Sequence, residues 1–99
     1  MTSFFTGTVR MDFAGLPTTV VFRARLNNDV EDYAVTGYDG EGGVLSGEQV
    51  SRSNVSTYTT PEEFVFREET VTVTNPGGIS AVDVEMNGFI VVIDNLKLQ

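Results

Sequence analysis

The 99-residue chain contains no cysteine, no histidine and no tryptophan. Without cysteine there is no disulfide, no thiolate nucleophile and no thiolate zinc site. Without histidine the usual general base near neutral pH is missing, and with it the Ser-His and Cys-His nucleophile pairs and most transition-metal ligation. Hard, oxygen-liganded ions such as calcium are the metals left open. Basic residues are scarce, six against fourteen acidic ones, for a net charge of −8. A surface of that sign repels a phosphate backbone, so no nucleic-acid partner is expected. Met1 to Phe5 lacks the basic start and long apolar run of a secretory signal. No segment reaches the length of a membrane span, so no membrane partner is expected, and the compartment stays open.

The apolar share of 40 % and charged share of 20 % suit a folded globular chain, and 99 residues suit one domain over 1–99. Period-two alternation runs almost end to end. Val9, Met11 and Phe13 alternate with Thr8, Arg10 and Asp12, and Val20, Phe22, Ala24 and Leu26 form one face of a second strand. Tyr33, Val35 and Gly37 form the inward face of a third. Asp39-Gly40-Glu41-Gly42-Gly43 reads as a hairpin tip whose glycines can take positive φ, leading into a fourth strand from Val44 and Leu45. Residues 46–60 are dense in Ser, Thr and Asn and read as a weak edge strand with a loop. Phe64-Val65-Phe66 reads as extended chain, and Thr70 to Thr74 as a strand closed by the Asn75-Pro76-Gly77-Gly78 turn. Ile79 to Met86 is expected to pair with Phe89 to Ile93 across Asn87-Gly88, the dipeptide favoured in type I′ hairpins. Seven or eight short strands without a convincing helix describe an all-β antiparallel sandwich or barrel.

Two stretches resemble a known family. Tyr33-Ala34-Val35-Thr36-Gly37-Tyr38-Asp39-Gly40-Glu41-Gly42-Gly43-Val44-Leu45 is similar to a hairpin common in bacterial jelly-roll domains of the galactose-binding-like, carbohydrate-binding-module type. Ile79 to Glu85 followed by Val92-Ile93-Asp94-Asn95-Leu96-Lys97-Leu98 is similar to their closing strands. The resemblance covers about half the chain and implies a short jelly-roll β-sandwich whose relatives bind sugars, adhere to surfaces or accompany catalytic domains. A sandwich this short leaves an open edge, which invites strand addition, so a homodimer is expected.

In many such domains an aspartate at the position of Asp94 binds a structural calcium together with ligands from the first strand, where Asp12 stands here. The alternative is that Asp94-Asn95 caps a strand end through local hydrogen bonds. A sugar site needs an aromatic platform flanked by polar groups, for which Tyr38 and Tyr58 are the candidates, with Asn27, Asn28, Asp29, Asn54 and Arg52 as loop partners. Each of these also reads as ordinary packing or loop chemistry. The pairs Glu62-Glu63 and Glu68-Glu69 suggest acid and base work only superficially, because neighbours in a strand point to opposite faces. Gly40, Gly42 and Gly43 lack the lysine and helix of a phosphate loop. The expectation is a non-catalytic module that binds a glycan or a partner protein. The alternatives are an acidic inhibitor mimicking nucleic acid, and a structural subunit of a homo-oligomer.

Overall fold

Among the described residues, alternation of apolar and polar positions builds six strands: β1 (Ser3–Asp12), β2 (Thr19–Asn27), β3 (Tyr33–Asp39), β4 (Val50–Thr59), β5 (Val65–Thr74) and β6 (Ile79–Leu98). The only helical piece among the described residues is a 3₁₀ turn at Gly47–Gln49. The structure is a computed structural model and describes residues 3–27, 33–59, 61–62 and 65–99. All pairings are antiparallel. The chain is an all-β antiparallel sandwich.

The 20-residue β6 belongs to both layers. Its first half is flanked by β1 on one edge and β3 on the other, whereas residues 91–98 pair with β2. β2 then pairs with β5, and β5 with β4, which forms an open edge. One layer is therefore β1, early β6 and β3, and the other is late β6, β2, β5 and β4. Both ends of β6 are anchored on the segment before β2. The Thr18 N–H donates to the Gln99 carbonyl at 2.7 Å, and the Ile79 N–H to the Pro17 carbonyl at 2.8 Å. The strand thus folds back on itself and closes the sandwich.

The inward faces are the apolar ones. Val20, Phe22 and Ala24 of β2 and Val71 and Val73 of β5 are fully buried in one cluster with Tyr33, Val82, Val84, Ile79 and Phe13. Burying each large side chain contributes about 1.5–3 kcal/mol. β3 approaches the opposite layer through Gly37, where an added Cβ would lie 2.9 Å from Val73 Cγ1 and 3.0 Å from Leu45 Cδ1. Only a residue without a side chain lets the layers meet this closely.

Two sequence expectations are corrected. Asn87-Gly88 is not a turn: residues 79–98 form one strand, and Asn87 pairs with Thr6. The reason is topological. Met86 already pairs with Gly7 on one edge and Tyr33 on the other, so neither edge is left for Phe89 to Ile93 to fold back on, and Val91 pairs with Leu26 and Ser3 instead. The expected fourth strand after the hairpin tip is also missing. Val44 makes one isolated bridge to Tyr38, and Leu45 turns inward against the core. Of the tip glycines, only Gly42 adopts a positive φ, at 85°. The turn is fixed by Asp39, whose carboxylate accepts the N–H groups of Glu41 and Gly43, both at 2.8 Å. The weak strand expected within 46–60 is a full edge strand, β4, and Val65–Thr74 is continuous.

Candidate functional site

Three polar constellations stand out. The first is interior. Glu69 follows the inward register of Val71 and Val73 and is only 7 % exposed. Its Oε1 accepts the Tyr33 hydroxyl at 2.5 Å and the Arg52 Nε–H at 3.2 Å. Arg52 also donates to the Tyr33 carbonyl at 3.0 Å, and its guanidinium lies 4.1 Å from the centroid of the Tyr33 ring. Arg67 approaches the other carboxylate oxygen at 3.9 Å. These partners allow a carboxylate to remain inside the sandwich. Glu68, one residue earlier, points outward to Arg23 and Arg25. The two glutamates serve opposite faces of β5, as the alternation requires.

The second lies on the outer face of the β1–β6–β3 layer. Arg10 and Asp83 are cross-strand partners and form a two-pronged ion pair, with contacts of 2.7 and 3.3 Å. The Tyr38 hydroxyl donates to the same carboxylate at 2.9 Å, and Arg10 sits 4.7 Å from the Tyr38 ring centroid. The hydrogen bond from Arg10 holds the Asp83 carboxyl below its ordinary range, against the opposing effect of partial burial. The same bond raises Arg10. The Tyr38 ring thus already carries a cation over it, and its hydroxyl is engaged.

The third is a groove of about 400 Å³ on the outer face of the other layer, lined by Val21, Phe22, Arg23, Thr70, Asn95 and Lys97. A β-bulge builds it. Val21 faces Lys97 and Arg23 faces Asp94, so the single residue Phe22 opposes both Asn95 and Leu96. Asn95 takes the left-handed conformation, φ 55°, which asparagine tolerates better than most residues. The extra residue disrupts the ladder locally and re-aims neighbouring side chains. Thr70 stands directly across from Arg23 on β5. Phe22 is fully buried, so the groove offers no aromatic face. A second cleft, of about 500 Å³, is lined by Thr18, Thr19, Thr74, Asn75 and Pro76, none of them charged.

The residues singled out from sequence are dispersed. Tyr38 belongs to the Arg10–Asp83 patch and Arg52 to the Glu69 cluster, on β4 rather than in a loop. Asn27 ends β2; Tyr58 lies on β4 opposite Phe66, and Asn54 earlier on the same strand. Asn28 and Asp29 lie outside the described residues. Asp12 follows the outward register of Arg10 and pairs with Ala81, whereas Asp94 pairs with the outward Arg23 of the other layer. The fold therefore does not bring these two aspartates together. Among the described residues no group of three or more acidic side chains is arranged to hold a metal ion. Arg23, Thr70 and Lys97 were not singled out from sequence. Their only signal was the alternation of Arg23 and Arg25 with buried residues, while the bulge that joins them to Asn95 leaves no recognisable motif.

Comparison with known proteins finds no matching family model, no similar curated protein and no similar solved structure.

Proposed function

We propose that the chain is a non-catalytic binding module of the jelly-roll, galactose-binding-like kind, and that it binds carbohydrate in the groove between late β6, β2 and β5. One observation carries this reading: the bulge at Asn95 and Leu96 lies beside a polar recess of about 400 Å³. Thr70, Asn95, Arg23 and Lys97 supply donors and acceptors suited to hydroxyl groups, and the groove volume lies within the range of small-ligand sites. Bulges are concentrated beside binding sites because they re-aim side chains. Of the closing segment that resembles carbohydrate-binding modules, Val92 to Leu98, Asn95 and Lys97 line the groove. The Tyr38 patch supports the reading less well, since its ring and hydroxyl are both occupied within the protein.

A glycan array followed by calorimetric titration tests this. Binding of at least one glycan at millimolar or better affinity is expected, and it should weaken in Thr70→Ala. An array with no signal above background, or binding that Thr70→Ala and Asn95→Gly both leave intact, overturns it.

A further inference from the structure

The groove concentrates the wrong charge for this protein. On a chain of net charge −8, three of the six basic residues, Arg23, Arg25 and Lys97, gather on the outer face of one layer. Among the described residues, two carboxylates face them. Glu68 is shared between Arg23 at 3.5 Å and Arg25 at 3.4 Å, and Asp94 stands across the ladder from Arg23. Among the described residues, three cations stand against two carboxylates on this face. The remaining basic residues, Arg10, Arg52 and Arg67, are each paired with a carboxylate elsewhere.

The placement of the excess is specific. Lys97 lies directly across from Val21, and Arg23 follows two residues along the same strand, so both cations flank the Val21 side chain on one face. Diagonal neighbours of this kind sit roughly 7–8 Å apart, a gap that two long cationic side chains close around one anion. A guanidinium presents a planar fork to a carboxylate, and an ammonium adds a second point charge. Thr70, across from Arg23, and Asn95, in the bulge, border the same space with a hydroxyl and an amide. Among the lining residues the one aromatic, Phe22, is fully buried, so there a neutral sugar would have hydroxyl hydrogen bonds, each traded against water.

Resting on the carbohydrate-binding reading above, we propose that the ligand is acidic: the groove seats the carboxylate of a uronic acid residue between Arg23 and Lys97, with Thr70 and Asn95 on the ring hydroxyls.

The test compares tetragalacturonate with its fully methyl-esterified form and with a neutral galactose tetramer, by titration of the whole chain at low and moderate salt. Binding to tetragalacturonate is expected to be at least about tenfold tighter than to either uncharged probe, and to weaken as salt rises. Arg23→Gln and Lys97→Gln are each expected to cost about fivefold or more for the acidic probe, a larger loss than for either uncharged probe, and Arg10→Gln, on the other layer, to change nothing. Thermal melts of each variant confirm folding. Equal binding of acidic and neutral tetramers overturns the acidic assignment and leaves the module a carbohydrate binder. Failure of all three to bind counts against the acidic assignment, and an array equally silent removes the underlying reading with it. Tight acidic binding that survives both Gln substitutions overturns the placement.

Discussion

The Tyr33 hydroxyl reaches across the sandwich interior to the Glu69 carboxylate at 2.5 Å, joining β3 of one layer to β5 of the other. Tyr33 is 3 % exposed and Glu69 7 %, so the bond lies beyond bulk water. Tyr33→Phe deletes the donor while leaving the carboxylate buried, and the expected loss is about 1–3 kcal/mol. Glu69→Ala removes the acceptor of both the Tyr33 hydroxyl and the Arg52 Nε–H, and is expected to cost more, about 2–4 kcal/mol. Urea unfolding of the two variants checks the order. If Tyr33→Phe were the more harmful, the cluster would not be organised around the carboxylate.

Asp83 governs part of the acid limb of stability. Its folded carboxyl is lowered from the ordinary value, chiefly by the hydrogen bond from Arg10. A lowered carboxyl contributes stability that is present in full above the unfolded value and is lost as pH falls through the folded one. The stability difference between the natural chain and Asp83→Asn should therefore stay constant from roughly pH 5 to 8 and shrink below about pH 4. Denaturant titrations across that range measure it. A difference that grows on acidification would reverse the assignment.

Gly37 tests how tightly the two layers meet. A methyl group there falls 2.9 Å from Val73 Cγ1, and both Val73 and Leu45 belong to or pack on the core. Gly37→Ala is expected to destabilise by about 1–3 kcal/mol through overpacking. For a domain of this size that is a fall in Tm of roughly 4–20 °C. Pairing the change with Leu45→Ala should recover part of the loss, because the smaller neighbour makes room. No recovery would mean that Val73 alone sets the limit.

Much of the layer structure is legible in the sequence because it depends on period two. The set Val20, Phe22 and Ala24 is read correctly from alternation as one face, which is the buried one, as is the inward position of Tyr33. What fails is connectivity. Asn87-Gly88 carries the local chemistry of a tight turn, yet a turn also requires a free edge to return along, and β1 and β3 take both. That competition is settled by strands some fifty to eighty residues away and cannot be read locally. The groove is illegible for a related reason. Asp94-Asn95-Leu96 reads as a strand end, but it becomes a bulge only because β2 pairs on both sides of it. The Glu69 cluster was hidden because a charged residue in a Thr/Val alternation gives no sign of the tyrosine and arginine that await it.

Asn95 separates the bulge as a backbone device from Asn95 as a ligand contact. Its φ of 55° lies where a β-branched residue meets the steric penalty of the left-handed region, about 1–2 kcal/mol. Asn95→Val should therefore lose roughly that amount, whereas Asn95→Gly keeps the conformation and should stay within about 0.5 kcal/mol of the natural chain. Both variants remove the amide. If the amide itself contacts ligand, both weaken glycan binding, and the valine variant weakens it further because the bulge that spreads Phe22 from Lys97 is under strain. If only the backbone shape matters, Asn95→Gly binds as the natural chain does and Asn95→Val does not. Unfolding and titration on the same two proteins decide between these outcomes, and equal stability of the two would show that the bulge persists without help from the residue at its centre.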